Sequence, residues 1–347
     1  MNRTRLLLTI LLLASAIFLG NCNLPRVEFV SATPTLTPDL NATPTDTPFP
    51  TPASVELGLA ENPLILALPP SADSPEQIAA AKTLAALFTE RTGYTVVTVV
   101  PDSYTALVDA LDNGNAHIVL LDPYAYTLAY QRGSVKAIYA VLQEGETTYG
   151  AQFLATRKGG FQSFYDPASD ENTADASVAL EQFNDKKACW SDESSPSGYV
   201  IPLGFLNKSL IVTKPAAFVG GQPTIVRSLY ATGICDFGAT YIDARKFPSL
   251  EDEFPDLIEQ VIVVWQTPDI IPYEILAFST VMPEEMRNLF TGEIAAIMQT
   301  ENGSQALKAA YGIESIQGVN DGFYEEFRTY VDESNVDLNA LVNSITR

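Results

Sequence analysis

From Pro63 onward, short apolar runs alternate with amphipathic stretches, the pattern of strands alternating with helices in an α/β body. Residues 64–68 read as a buried strand. Ser74-Pro75-Glu76-Gln77 then supplies an N-cap, a proline at the first helical position and an acid in the first turn; residues 79–88 carry the apolar spacing and Gly93 ends the helix. Residues 94–100 form a β-branched strand, Ser103 caps a helix that runs to Leu111, residues 117–121 give a third strand, 124–130 a short helix and 135–142 a further strand. A second series starts with a strand over 148–156. It continues with a short helix at 178–183, a strand at 187–190, a loop leading into a helix over 197–206, a helix at 224–231 and strands at 235–241 and 261–265. Helical patterns at 282–290, 292–298, 304–311 and 321–331 complete it. Two α/β lobes joined by crossing strands fit this order better than one large sheet.

The first residues differ in kind. Arg3 and Arg5 precede an almost unbroken apolar run over 6–18 that ends in Leu19-Gly20-Asn21-Cys22, the layout of a secretory signal. The run is short for a membrane span, and a cysteine directly after it resembles a bacterial lipobox, with Cys22 acylated as the mature N-terminus. The chain thus divides into a lipoprotein signal peptide, 1–21, and an acylated Cys22 with a Thr/Pro-rich linker, 22–60. Within that linker, residues 31–52 hold seven Thr and six Pro, too polar and proline-rich to enclose a core, so the segment reads as an extended tether.

Composition narrows the chemistry. With 20 Lys+Arg against 42 Asp+Glu the net charge is −22, which excludes partners bound by neutralising phosphate backbones, nucleic acid first among them. One histidine and three scattered cysteines provide neither a zinc or iron ligand set nor a Ser/His/Asp triad, so no metal and no cofactor is expected. His117 falls inside a predicted strand and is assigned to packing.

In open α/β sheets, ligands bind beyond the carboxyl ends of the strands, where helix N-termini offer unpaired N–H groups. Four segments reach that position: Pro69-Pro70-Ser71, Asp102-Ser103-Tyr104, Asp122-Pro123-Tyr124-Ala125-Tyr126, and the serine-rich turn from Ser191 to Tyr199. The last can surround an anion with hydroxyls and backbone N–H groups without a lysine or arginine.

These segments carry a resemblance. Ser103-Tyr104 with Leu107-Val108 and Ala110-Leu111, Ala116-His117-Ile118, Asp122-Pro123-Tyr124-Ala125-Tyr126, Ser194-Ser195-Pro196-Ser197-Gly198-Tyr199 with Pro202, and Gly233-Ile234-Cys235-Asp236-Phe237-Gly238-Ala239 are similar in order and spacing to motifs of the phosphate/phosphite/phosphonate-binding proteins of ABC importers. The resemblance spans about residues 62–330. It implies a two-lobed periplasmic-binding-protein fold of type 2, each lobe a mostly parallel mixed sheet flanked by helices. Lobe 1 comprises residues 61–147 with 270–347, lobe 2 residues 148–269, and the ligand lies between them. It further implies contacts from Tyr104, Tyr124 or Tyr126 on lobe 1, an anion held by Ser194, Ser195, Ser197 and Gly198, and Asp236 near the cleft on lobe 2.

Three departures shift the expected ligand. Pro196 stands where a hydroxyl residue is usual, Thr224 where a histidine is common, and Asp122 where a glycine precedes the proline. Fewer donors and more acid weaken the case for a doubly charged phosphonate and make a zwitterionic, less charged or organic-cation-bearing ligand at least as good a fit. The expected function is a lipid-anchored, extracytoplasmic, monomeric receptor. It captures a small anionic or zwitterionic molecule and delivers it to the permease and ATPase of an ABC importer, without catalysis. A sensor that presents the same fold to a membrane signalling partner is the alternative; an enzyme is disfavoured because no base adjoins Ser194, Ser195 or Ser197 in sequence. Cys189 and Cys235 fall in lobe 2 strands that such a sheet can place side by side, either as a disulfide or as two buried thiols.

Overall fold

The computed structural model describes residues 55–345; the signal segment, Cys22 and the Thr/Pro tract lie outside them. The tether expected to run to residue 60 gives way to the folded body earlier. The Gly58 carbonyl accepts from Thr95 N at 2.7 Å, and its φ of +93° places it against the Tyr94 ring, where a side chain would collide.

The strands are β1 (Leu64–Ala67), β2 (Val96–Val99), β3 (Ile118–Leu121), β4 (Val135–Val141), β5 (Thr148–Tyr149), β6 (Ala151–Thr156), β7 (Tyr165–Asp166), β8 (Glu171–Asn172), β9 (Lys187–Trp190), β10 (Lys214–Phe218), β11 (Phe237–Tyr241), β12 (Val261–Gln266), β13 (Ile271–Pro272), β14 (Ile275–Ser279) and β15 (Ile316–Gly318). They build a six-stranded sheet, β15-β4-β14-β3-β1-β2, and a five-stranded sheet, β10-β9-β11-β6-β12. The two share one plan. Three parallel strands (β2-β1-β3, β10-β9-β11) are followed by one antiparallel strand (β14, β6) and then a further strand (β4, β12).

In each sheet the antiparallel strand is the one the chain enters on crossing from the other half. The two crossing segments pair with each other, β5 against β13, with Tyr149 opposite Ile271 and Thr148 opposite Pro272. The single strand expected over 148–156 is therefore two, broken at Gly150. A Cβ there would lie 2.7 Å from Asp269 Oδ1 and 2.9 Å from Ile242 Cδ1, so a larger residue would have to displace both side chains for the crossing segment to pass.

Local chemistry accounts for most elements. The helix Pro75–Thr92 opens on a capping box in which Ser74 Oγ accepts from Gln77 N and Gln77 Oε1 from Ser74 N, and it closes on left-handed Gly93. Ser103 and Asp122 cap the helices Tyr104–Asp112 and Pro123–Gln131. Strand β3 is buried along its whole length, as a parallel strand covered on both faces requires. The patterns at 282–290 and 292–298 form one continuous helix, Glu284–Met298. Strands β10 and β14 and the helix Leu338–Ser344 were not expected from the pattern.

His117 precedes β3; its Nδ1 accepts from Ile65 N at 3.0 Å, and burial holds its pKa below the ordinary value. Cys189 on β9 and Cys235, just ahead of β11, are joined by a disulfide with a Cα–Cα distance of 5.6 Å. Among the described residues no helix is long and apolar enough to cross a membrane.

Candidate functional site

A cleft of about 580 Å³ opens between the two sheets. Most of its wall lies just beyond the carboxyl ends of parallel strands: Asp122 and Pro123 after β3, Pro196 and Ser197 after β9, Gln222 after β10, and Tyr241 with Ile242 at the end of β11. Gln143 and Glu144 follow β4, while Tyr149, Pro272, Tyr273 and Glu274 come from the crossing segments. The Tyr149 and Tyr273 rings stack with centroids 5.2 Å apart.

The serine turn is organised by its own backbone. Ser195 Oγ accepts from Gly198 N at 3.0 Å, starting a short π-turn, Pro196–Val200, that runs into the helix Ile201–Lys208. Gly198 is obligatory, because a Cβ would sit 2.1 Å from Ser191 Oγ and 2.8 Å from Ser195 Oγ. Gln222 Nε2 donates to Ser197 Oγ at 3.0 Å while its Oε1 accepts from Tyr241 N, which fixes the turn to β11. Ser197 and Tyr149 share the cleft wall, and the Ser197 hydroxyl acts on the Tyr149 phenol against the upward push of burial, which brings the turn beside the crossing segment.

Opposite stands Asp122. Its Oδ1 accepts from Tyr124 N at 2.8 Å as the helix cap. Burial pushes the carboxyl up from 3.8 to about 6; the N–H bond from Tyr124 opposes this and nearby Glu274 adds to it. Two buried hydroxyls near these groups, Tyr124 Oη and Ser191 Oγ, have no hydrogen-bond partner. Burial raises the Tyr124 pKa far above its ordinary value, and the charges and phenol around it belong to Asp122, Tyr149 and Asp192, so its hydroxyl lies where the two halves meet.

Of the residues expected in the site, Ser197 lines the cleft. Ser195, Gly198 and Tyr124 stand immediately behind that wall, and Tyr104 is half-buried where Asp122 and Glu274 both act on its phenol. Three expectations are corrected. Tyr126 is buried in the core and its hydroxyl donates to Asp321 at 2.8 Å. Asp236 lies at the amino end of β11, its carboxylate accepting from Lys187 N, at the edge opposite the cleft. Ser194 turns back on Asp192 through both its N–H and its hydroxyl. Of the two remaining expected loop segments, Pro70 and Ser71 share a separate depression of 210 Å³ with Asp102, and Tyr104 alone reaches toward the cleft.

Sequence reasoning missed Tyr149, Gln222, Tyr273 and Glu274. Gln222 follows β10, an exposed edge strand containing Pro215, so no apolar run announced the loop beyond it. Among the described residues no lysine, arginine or histidine lines the cleft, whereas Asp122, Glu144 and Glu274 do, and no cluster of potential metal ligands is present.

The sequence matches the family model for the periplasmic substrate-binding protein of phosphonate ABC transporters over residues 66–324. The phosphate-import protein PhnD of Mycolicibacterium smegmatis is 25% identical over 233 residues, 64% of this chain and 68% of that protein. XAC2383 from Xanthomonas citri bound to ATP gives a TM-score of 0.55 at 15% identity, covering 82% of this chain and 99% of that one. Its chloride-bound form gives 0.54 at 15% identity over 81% and 99%. At such identity the likeness is one of fold.

Proposed function

Because the chain belongs to the periplasmic phosphonate substrate-binding proteins of ABC transporters, we propose that it captures a small anionic or zwitterionic molecule, phosphonate-, phosphite- or phosphate-like, and hands it to the permease and ATPase of an importer. The observation that carries this reading is the cleft itself. A hydroxyl and amide network at Ser195, Ser197 and Gln222 faces the capped helix start at Asp122-Pro123 across two paired crossing strands. Neutral donors of this kind hold an oxyanion without a cation, and a two-strand link permits the halves to close on it. Import rather than sensing is favoured by the relative's description as a phosphate-import protein.

In this reading lobe 1, residues 61–147 with 270–347, closes on lobe 2, residues 148–269. The receptor works as a monomer outside the cytoplasm, held to a membrane by lipid on Cys22, and leaves its ligand chemically unchanged. Tyr104, Tyr124, Ser195, Ser197 and Gly198 shape the binding wall. A thermal-shift screen of the full chain against phosphonates, phosphite, phosphate, sulfonates and choline-like compounds tests it. A cognate ligand raises Tm in the wild type, and Tyr104→Ala or the double change of Ser195 and Ser197 to Ala removes the shift. An unaltered shift in both variants refutes the site, and a flat screen refutes the ligand class.

A further inference from the structure

The cleft combines donors suited to an oxyanion with a carboxylate that repels one. Asp122 caps the helix Pro123–Gln131 and lines the cleft, and among the described residues it enters no ion pair. The charged and titratable groups acting on it or sharing its surroundings are Glu274 from the segment ahead of β14, Tyr104 and Tyr124 from the two helix starts, and Tyr149 from β5. None of these is a cation. An ionised carboxylate only accepts hydrogen bonds, through about four lone-pair sites, and the helix backbone uses just part of that capacity. Independently, Tyr124 Oη and Ser191 Oγ are buried with no partner, a condition that native interiors rarely leave unrelieved. Tyr124 is only 1% exposed, and its hydroxyl sits in the field of Asp122 and Tyr149, both in the cleft wall.

We propose that Asp122 makes a hydrogen-bond donor on the ligand a condition of binding. The cleft takes a tetrahedral oxyanion that keeps an O–H, or one whose substituent carries an N–H, and rejects an oxyanion with neither. Ligand oxygens accept from the Ser197 hydroxyl in the cleft wall, while the ligand's own O–H or N–H donates to the Asp122 carboxylate. This rests on the oxyanion-receptor reading above and adds the selectivity. Phosphate, phosphite and methylphosphonate retain an O–H over part of the neutral range, and aminomethylphosphonate also carries an ammonium. Methanesulfonate and sulfate carry neither.

The test is calorimetric titration of the full chain at pH 7.5 with those six compounds, for the wild type, Asp122→Asn and Asp122→Ser. Both replacements are good helix caps, so the helix start is kept. The wild type is expected to bind at least one phosphorus compound a hundredfold or more tighter than methanesulfonate, and both variants to narrow that ratio at least tenfold. Tighter binding of aminomethylphosphonate than of methylphosphonate assigns the donor to N–H, and the reverse order to O–H. Wild-type binding of methanesulfonate within tenfold of the best phosphorus compound, or an unchanged ratio in both variants, overturns the role of Asp122 alone. Failure of the wild type to bind any of the six overturns the oxyanion-receptor reading and this inference with it.

Discussion

Asp122 has two tasks that pull against each other. As a helix cap it is best ionised, yet burial and Glu274 raise its pKa from 3.8 to about 6. Between those values the native chain keeps a proton that the unfolded chain has lost, so the contribution of this residue to stability is greatest below pH 3.8 and falls as pH rises to 6. The Tm of Asp122→Asn minus that of the wild type should therefore increase from pH 4 to pH 7 and then level off; a constant difference would remove the burial argument. Gly198 offers a second check at this scale. A methyl group there meets Ser191 Oγ at 2.1 Å, so Gly198→Ala should cost about 1–3 kcal/mol, as overpacking does, and abolish the ligand-induced Tm shift. Tyr126→Phe should separate the two effects: it loses the bond to Asp321, lowers stability by about 1 kcal/mol, and leaves ligand affinity within twofold. The Asp122 cap was legible as sequence, because capping is local. The tyrosines were not separable, since Tyr124 and Tyr126 sit on one helix and differ only in what the rest of the chain packs around them.

At the scale of elements, strong local signals carried the assignment and weak ones failed for physical reasons. Strand β9 was legible to the residue because its apolar run is bounded by polar turns. Strand β10 is mostly exposed at a sheet edge and holds a proline, so no periodicity marked it. Strand β14 is buried at every position, and its short apolar run, placed behind Pro272 and Glu274, has no alternation to separate it from a helix turn. These two omissions hid Gln222 and Glu274. The Cys189–Cys235 disulfide closes a sequence separation of 46 residues, joining β9 to the segment just ahead of its neighbour β11. Replacing both cysteines by serine should lower stability in denaturant titration by about 2–4 kcal/mol, and reduction of the native chain should produce the same change.

At the scale of the molecule, the C-terminal segment ties the halves together by a route separate from the crossing strands. Asp321 accepts from Tyr126 Oη, Ala137 N and Lys136 Nζ beside the first sheet. The helix Glu325–Glu333 then packs on the helix Ile201–Lys208 beside the second sheet, with Tyr330 stacked on Phe205 at 3.7 Å and Gly204 beneath the Tyr330 carbonyl. The helix Leu338–Ser344 returns to the helices Tyr104–Asp112 and Pro123–Gln131. Any movement of one half against the other is thus confined to what this segment and the β5–β13 pair allow. Gly150→Ala, which puts a methyl group against Asp269 and Ile242 in the crossing segment, should weaken ligand affinity at least tenfold; unchanged affinity would show that this crossing does not set the closed geometry.

The sequence alone determined the α/β class, the two series of elements, the helix starts and the identity of the serine turn, because capping, glycine conformation and apolar periodicity act over a few residues. It also determined that the site must work without clustered cations, since composition does not depend on folding. Tertiary structure alone decided which carboxylates and hydroxyls face one another. Tyr149 and Tyr273 are 124 residues apart and meet only through the pairing of β5 with β13. Asp122 and Glu274 become neighbours only because β14 lies against β3, with Ile275 opposite Leu121. Such contacts follow from strand order, which no local pattern encodes, and the charge balance of the cleft is set by them.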